Sequence, residues 1–107
     1  MKYWVIHVPA LPATGMTIFP FILVKEAHVK KDKVIINHEK IHLRQQLELL
    51  IIPFYLLYLF FYLVNIFRFK SHHNAYANIV FEREAYQKER DLNYLSERKF
   101  WSWIYFF

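Results

Sequence analysis

Residues 38–42 read His38-Glu39-Lys40-Ile41-His42, an H-E-x-x-H. On a helix, two histidines four apart project from one face, one turn apart. That spacing lets two imidazole nitrogens reach one Zn²⁺ at about 2.0–2.1 Å. Glu39, beside the first histidine, can then reach a water on the metal. The metal lowers that water's pKa toward about 7, and the carboxylate takes its proton. The expected chemistry is therefore hydrolysis. Composition alone predicts only about 0.02 such motifs in a chain like this one. The competing reading is a polar helix face carrying two solvated histidines.

A catalytic zinc usually takes three protein groups and a water. Downstream, Phe81-Glu82-Arg83-Glu84-Ala85-Tyr86 offers two carboxylates. Two apart on a helix, they point in different directions, so at most one faces the metal. The other is expected to be a solvated charge. His7 and His28 fall on β-prone or loop segments, and His72 and His73 in a polar turn. All four read as surface histidines.

The elements that must position these groups are short. Residues 3–8 (YWVIHV) form a β-prone run stopped by Pro9, Pro12 and Gly15. Residues 17–24 (TIFPFILV) form a second, which Pro20 demotes to an edge or bulged strand. Residues 25–33 are charged and read as a connection. From Val34 the period turns helical, through His38, Ile41, His42, Gln45 and Leu49. Pro53 is the expected kink or end of that helix. Residues 69–74 (FKSHHN) read as a polar turn, and 75–96 as a second helix. Residues 99–107 (KFWSWIYFF) resemble an interfacial anchor. The expected fold is mainly α with a small N-terminal β portion, one domain over residues 1–107.

Between the two ligand blocks lies an apolar segment, residues 47–69. Its centre, residues 49–67, reads LLIIPFYLLYLFFYLVNIF and carries no charge. A bilayer core of roughly 30 Å needs about 20 apolar residues in a helix. The run therefore qualifies as a transmembrane candidate, and membrane lipid as a partner. Tyr55, Tyr58 and Tyr62 recur at helical spacing. Such a stripe suits an interface or a partner helix better than lipid tails.

The stretch from His38 to Gln46, HEKIHLRQQ, followed by Glu82-Arg83-Glu84-Ala85-Tyr86, resembles the gluzincin metallopeptidases. It is also similar to small bacterial HExxHxxQQ zincins and, more loosely, to membrane-embedded members of the clan. The likeness covers about fifteen residues in two blocks. It implies a minimal zincin-like core, with the HExxH helix running into an apolar helix and a return helix carrying the third ligand. It implies His38, His42 and Glu82 as zinc ligands and Glu39 as general base. Glu82 takes the ligand position because it lies four before the family's Asp; Glu84 is the alternative. Here Tyr86 stands in place of that Asp, which in the family supports a ligand histidine. A tyrosine hydroxyl would give such support less strongly. The resemblance further implies a substrate-pairing edge strand, for which residues 17–24 are the candidate. The location it suggests is a membrane, integral or re-entrant, of the bacterial inner-membrane kind.

Geometry constrains this reading. A straight single span between His42 and Glu82 would hold them about 30 Å apart, too far for one metal. The expected solution is a helical hairpin or re-entrant insertion. Residues 69–74 would form its turn, and all three ligands would lie at one end.

Composition excludes other chemistries. No Cys means no disulfide scaffold, thiol nucleophile or thiolate metal site. Gly15 alone cannot form a glycine-rich phosphate loop. The net charge of +5 favours anionic partners. The aromatics are not interleaved with basic residues, which argues against nucleic acid. Two function classes remain. One is a membrane-associated zinc metallopeptidase acting on a polypeptide, with Tyr76, Tyr86, His72 or His73 as candidate oxyanion donors. A homo-oligomer would enlarge its cleft. The other is a non-catalytic membrane protein with a structural metal or none, whose aromatic helices pack on a partner.

Overall fold

The computed structural model describes residues 2–107, and the statements below refer to these residues. The chain is mainly helical with a small sheet at its N-terminus. The sheet has strands β1 (Trp4–His7), β2 (Gly15–Ile18) and β3 (Phe21–Val24), in the order β1-β3-β2. β3 is central, parallel to β1 and antiparallel to β2. The single strand expected over residues 17–24 is thus two strands of a hairpin. Pro20 lies in the turn between them, where its missing N–H costs no ladder bond. Ile22 and Val24 of β3 pack with Val29 and Leu43 in a small core.

A 3-10 helix (Ala27–Lys31) leads to α1 (Lys33–Leu49). Asp32 caps α1, its side chain accepting from the backbone N–H groups of Val34 and Ile35 at 3.0 and 3.1 Å. Pro53 acts earlier than expected. Its ring would clash with the carbonyl four residues back, that of Leu49, so the helix cannot continue through this step. The break falls at Leu50, which adopts φ 65°. α2 (Ile51–Phe69) then starts afresh with Pro53 in its first turn, where no N–H is needed. α2 is the one described helix long and apolar enough to cross a membrane.

The polar turn is shorter than expected. Lys70 ends α2 in the left-handed conformation, and Ser71 already caps α3 (His72–Ala77). The long second helix expected over residues 75–96 is three pieces: α3, α4 (Val80–Lys88) and α5 (Tyr94–Glu97). At the first break the Asn78 side chain donates to the Asn74 carbonyl at 2.8 Å, and Ile79 is extended. At the second, the Asp91 side chain accepts from the Asn93 N–H at 3.1 Å.

The larger core joins Leu49, Phe54, Ile79, Val80, Phe81 and Trp103. The C-terminal segment is therefore not wholly an anchor. Its 3-10 helix (Ser102–Phe106) seats Trp103 against Phe81 with ring centroids 5.1 Å apart. Phe100, Tyr105 and Phe107 remain exposed.

Candidate metal centre

α1 and α4 pack together and bring His38, His42 and Glu82 into one buried group. The Nε2 atoms of His38 and His42 lie 3.2 Å apart, and each lies 3.1 Å from Glu82 Oε1. A tetrahedral ion with bonds of about 2.0–2.1 Å sets its ligand atoms about 3.3 Å apart. The triangle fits such an ion within a few tenths of an ångström, and the group can hold a metal. Glu84, the alternative ligand, points elsewhere.

The outer bonds aim both imidazoles. His42 Nδ1 donates to Gln45 Oε1 at 2.8 Å, because the Gln45 amide nitrogen is occupied with Phe81 O and Glu84 Oε1. His38 Nδ1 donates to Glu89 Oε1 at 3.0 Å. Both Nε2 lone pairs are thereby left for a metal. Glu89 thus occupies the supporting place that the resemblance gave to position 86. Tyr86 instead packs its ring against His38, with centroids 4.6 Å apart. Glu89 lies seven residues after Glu82, two turns along the same side of the chain, and only this spacing hinted at it.

Glu82 is held from its other oxygen. The Tyr58 hydroxyl donates to Glu82 Oε2 at 2.6 Å. The tyrosine stripe of α2 therefore serves the chain's own interior. The Tyr55 hydroxyl donates to the Thr17 carbonyl, and Tyr62 shares a 2.8 Å hydrogen bond with His72 Nδ1. The His38–His42–Glu82 group consequently lies alongside the first half of α2, away from the turn at Lys70 and Ser71.

Burial alone would lower the pKa of His42, but the charge and hydrogen bond of Glu82, with the Glu39 charge and the Gln45 hydrogen bond, together outweigh it, and the imidazole is pushed up to about 9. Burial would likewise raise Glu82, yet the His42 and His38 rings hold its carboxyl well below the usual range. Without a metal, the group rests as a buried ion pair.

Glu39 sits beside this group on α1. Thr17 Oγ1 donates to Glu39 Oε1 at 2.7 Å. The other oxygen faces Gly15, where an added Cβ would lie 3.2 Å from it. The chain's one glycine thus leaves room at the carboxylate. Gln46 ties the β2–β3 hairpin to α1, accepting from Phe19 N–H at 2.7 Å and donating to the Thr17 carbonyl at 2.8 Å. The Gln45-Gln46 pair therefore divides its labour, one for His42 and one for the hairpin.

Two cavities flank Glu39. The first, about 500 Å³, is lined by Gly15, His38, Glu39, His72, Tyr76 and Glu89 among others. The second, about 250 Å³, is lined by Met16, Glu39, His42, Phe54, Tyr58 and Tyr76 among others. Ala13, Gly15, Glu39 and Tyr76 border both. Of the four hydroxyl or imidazole groups considered as oxyanion donors, Tyr76 alone lines both cavities. Burial and then the Glu82 charge keep its phenol well above the ordinary range, hence protonated. His73 lines neither cavity.

A second buried cluster was not anticipated. Arg98 donates to Glu48 Oε2 and Oε1 at 2.6 and 3.0 Å and also pairs with Glu84. Glu84 is thus a buried partner of Arg98, not a solvated charge. Comparison of the chain with protein-family models, curated proteins and solved structures returns no match.

Proposed function

We propose that this chain is a membrane-associated, zinc-dependent metallopeptidase with a minimal zincin-like core. The observation that carries the reading is the buried His38–His42–Glu82 triangle with Glu39 beside it. A hydrolase needs that carboxylate, and a purely structural site does not. The donor set of two imidazoles and one carboxylate without thiolate suits Zn²⁺. When bound, Zn²⁺ would supply Lewis-acid polarisation of a carbonyl and activation of a water.

The chain's own residues do the rest. Glu39 takes the water's proton and returns it to the amine nitrogen as the peptide C–N bond breaks and the new C–O bond forms. Thr17 holds one Glu39 oxygen, so the other is presented toward Gly15 and the cleft. Tyr76, protonated and bordering both cavities, is the donor best placed for the carbonyl oxygen. The polypeptide would lie along β2. Thr14 accepts from Lys25 N–H on the β3 side, while the Thr17 carbonyl is taken on the outer side by Gln46 and Tyr55. Strand alternation then turns the N–H and C=O of Gly15 outward, free to pair with a substrate backbone.

A second reading is a structural metal site in a non-catalytic membrane protein. The burial of all three ligands favours it, since structural zinc sites are closed. The test is zinc content and cleavage of an unfolded polypeptide by detergent-purified chain. Wild type should hold about one zinc per chain, and Glu82→Ala none. Glu39→Gln should retain zinc and lose cleavage. Cleavage that persists in Glu39→Gln removes the mechanism, and a wild type without zinc above background removes both readings of the site.

A further inference from the structure

The outer face of α2 has no partner among the described residues. Ile52, Leu56, Leu59, Phe60, Leu63, Val64 and Phe67 are all exposed, from 39% for Val64 to 80% for Phe67. At 100° per residue they occupy one arc of about 140°. No polar residue interrupts that arc over about 22 Å of helix. The opposite face is committed along its length. Phe54 is in the core, Tyr58 bonds Glu82, Tyr62 bonds His72, and Asn65 Nδ2 donates to the Ala75 carbonyl at 3.1 Å.

We infer that α2 docks flat on a lipid bilayer through this arc, lying in the plane of the interface instead of crossing it. This rests on the membrane association proposed above and not on the peptidase reading. Three observations choose lipid over a second copy. The arc offers no hydrogen-bonding group, whereas protein interfaces carry about one hydrogen bond per 100–200 Å². Arg68 and Lys70 close one end of α2, and the chain's net charge is +5, which suits anionic headgroups. The apolar surface continues into the C-terminal aromatics. Phe107 packs on Phe61 with ring centroids 5.6 Å apart, and Phe107 and Tyr105 are 67% and 79% exposed. An exposed tyrosine such as Tyr105 suits the headgroup level.

The in-plane orientation follows from what lies behind α2. The cleft lined by Glu39, His42 and Glu82 is bordered by Phe54, Tyr55 and Tyr58 of its inner side. A crossing α2 would bring these groups to hydrocarbon depth, where ionisable side chains are costly. Laid flat, α2 sinks its outer arc about 5–10 Å into the interface and leaves the cleft in water.

The chain has no Cys, so single cysteines can be placed and spin-labelled at Ile52, Leu59 and Phe67 in the full chain. Label depth is read in vesicles of phosphatidylcholine with one quarter phosphatidylglycerol. The in-plane geometry gives three similar, shallow depths. A deepest label at Leu59 with Ile52 and Phe67 near opposite surfaces overturns it in favour of a span. Labels that never touch lipid, in a chain that dimerises through this face, overturn it together with the membrane reading. Leu59→Glu with Leu63→Glu alters only exposed positions and should lower vesicle partition about a hundredfold. Unchanged partition of that folded variant also overturns the proposal.

Discussion

Removal of the Glu89 carboxylate tests how the metal group is ordered. Glu89 accepts from His38 Nδ1 at 3.0 Å, and the two side chains are 20% and 9% exposed. The bond is largely out of water, so solvent replaces it poorly. A hydrogen bond to a charged group in such a setting contributes about 1.5–3 kcal/mol. Loss of the outer partner of a ligating histidine lowers metal affinity about 10–100-fold, or about 1.4–2.8 kcal/mol. The two ranges overlap, and Glu89→Ala should weaken zinc binding by about 1.5–2.8 kcal/mol. Glu89→Gln keeps an acceptor without the charge and should fall between. Tyr86→Phe is the control. Tyr86 touches His38 through its ring, so loss of the hydroxyl should change affinity less than about threefold. Competition against a chromophoric chelator measures the affinities, with far-ultraviolet circular dichroism to verify folding. A folded Glu89→Ala that binds zinc like wild type would refute the assigned support. So would a loss in Tyr86→Phe as large as that in Glu89→Ala.

Three further outcomes follow from the buried charges. His42 is pushed up to about 9 in the metal-free chain, so zinc must displace its proton. Zinc affinity should rise about tenfold per pH unit below about 9 and then level off, in chelator titrations across pH. The sign is opposite for the metal-free fold. The His42–Glu82 pair stabilises it fully below about 6.5, and that contribution is lost as pH rises through about 9. Arg98 has a side chain 0% exposed between Glu48 and Glu84. Arg98→Met strands two buried carboxylates and should cost about 3–5 kcal/mol in urea unfolding. Adding Glu48→Gln and Glu84→Gln should recover most of it, and failure to do so would mean that the cluster matters by shape and not by charge.

The centre of the site was legible because its signals are local. Histidines four apart on a helix share a face whatever the rest of the fold does. Placing Glu82 in the group needed register from a resemblance, since a helix pattern alone could not separate Glu82 from Glu84. The outer bonds were not legible. Glu89 and Gln45 look like any surface residues until α4 is laid against α1. Nor was Arg98, whose two partners lie 50 and 14 positions away in sequence. Residues 17–24 misled because two strands and their turn form one unbroken apolar run. Periodicity shows that a segment is β-prone but does not say where it reverses.

The apparent conflict between one metal and one apolar helix dissolves at Leu50. A helix running unbroken through residues 33–69 would carry its later turns away from His42. The ring of Pro53 forbids that continuation, and the positive φ at Leu50 swings α2 back across the ligand face of α1. Every fourth or third residue on the inner side is then spent on the site: Phe54 beside His42, Tyr58 on Glu82, Tyr62 on His72. The outer side is wholly apolar, and nothing among the described residues covers it. One helix therefore has two faces with separate demands, polar hydroxyls toward the metal group and bare hydrocarbon away from it. That division explains a composition that looked contradictory at first, tyrosines at helical spacing inside a charge-free run. It also makes α2 the element through which contact with a bilayer would bear on the order of Glu82, since Tyr58 bonds that carboxylate from the helix whose other side is the bare apolar arc.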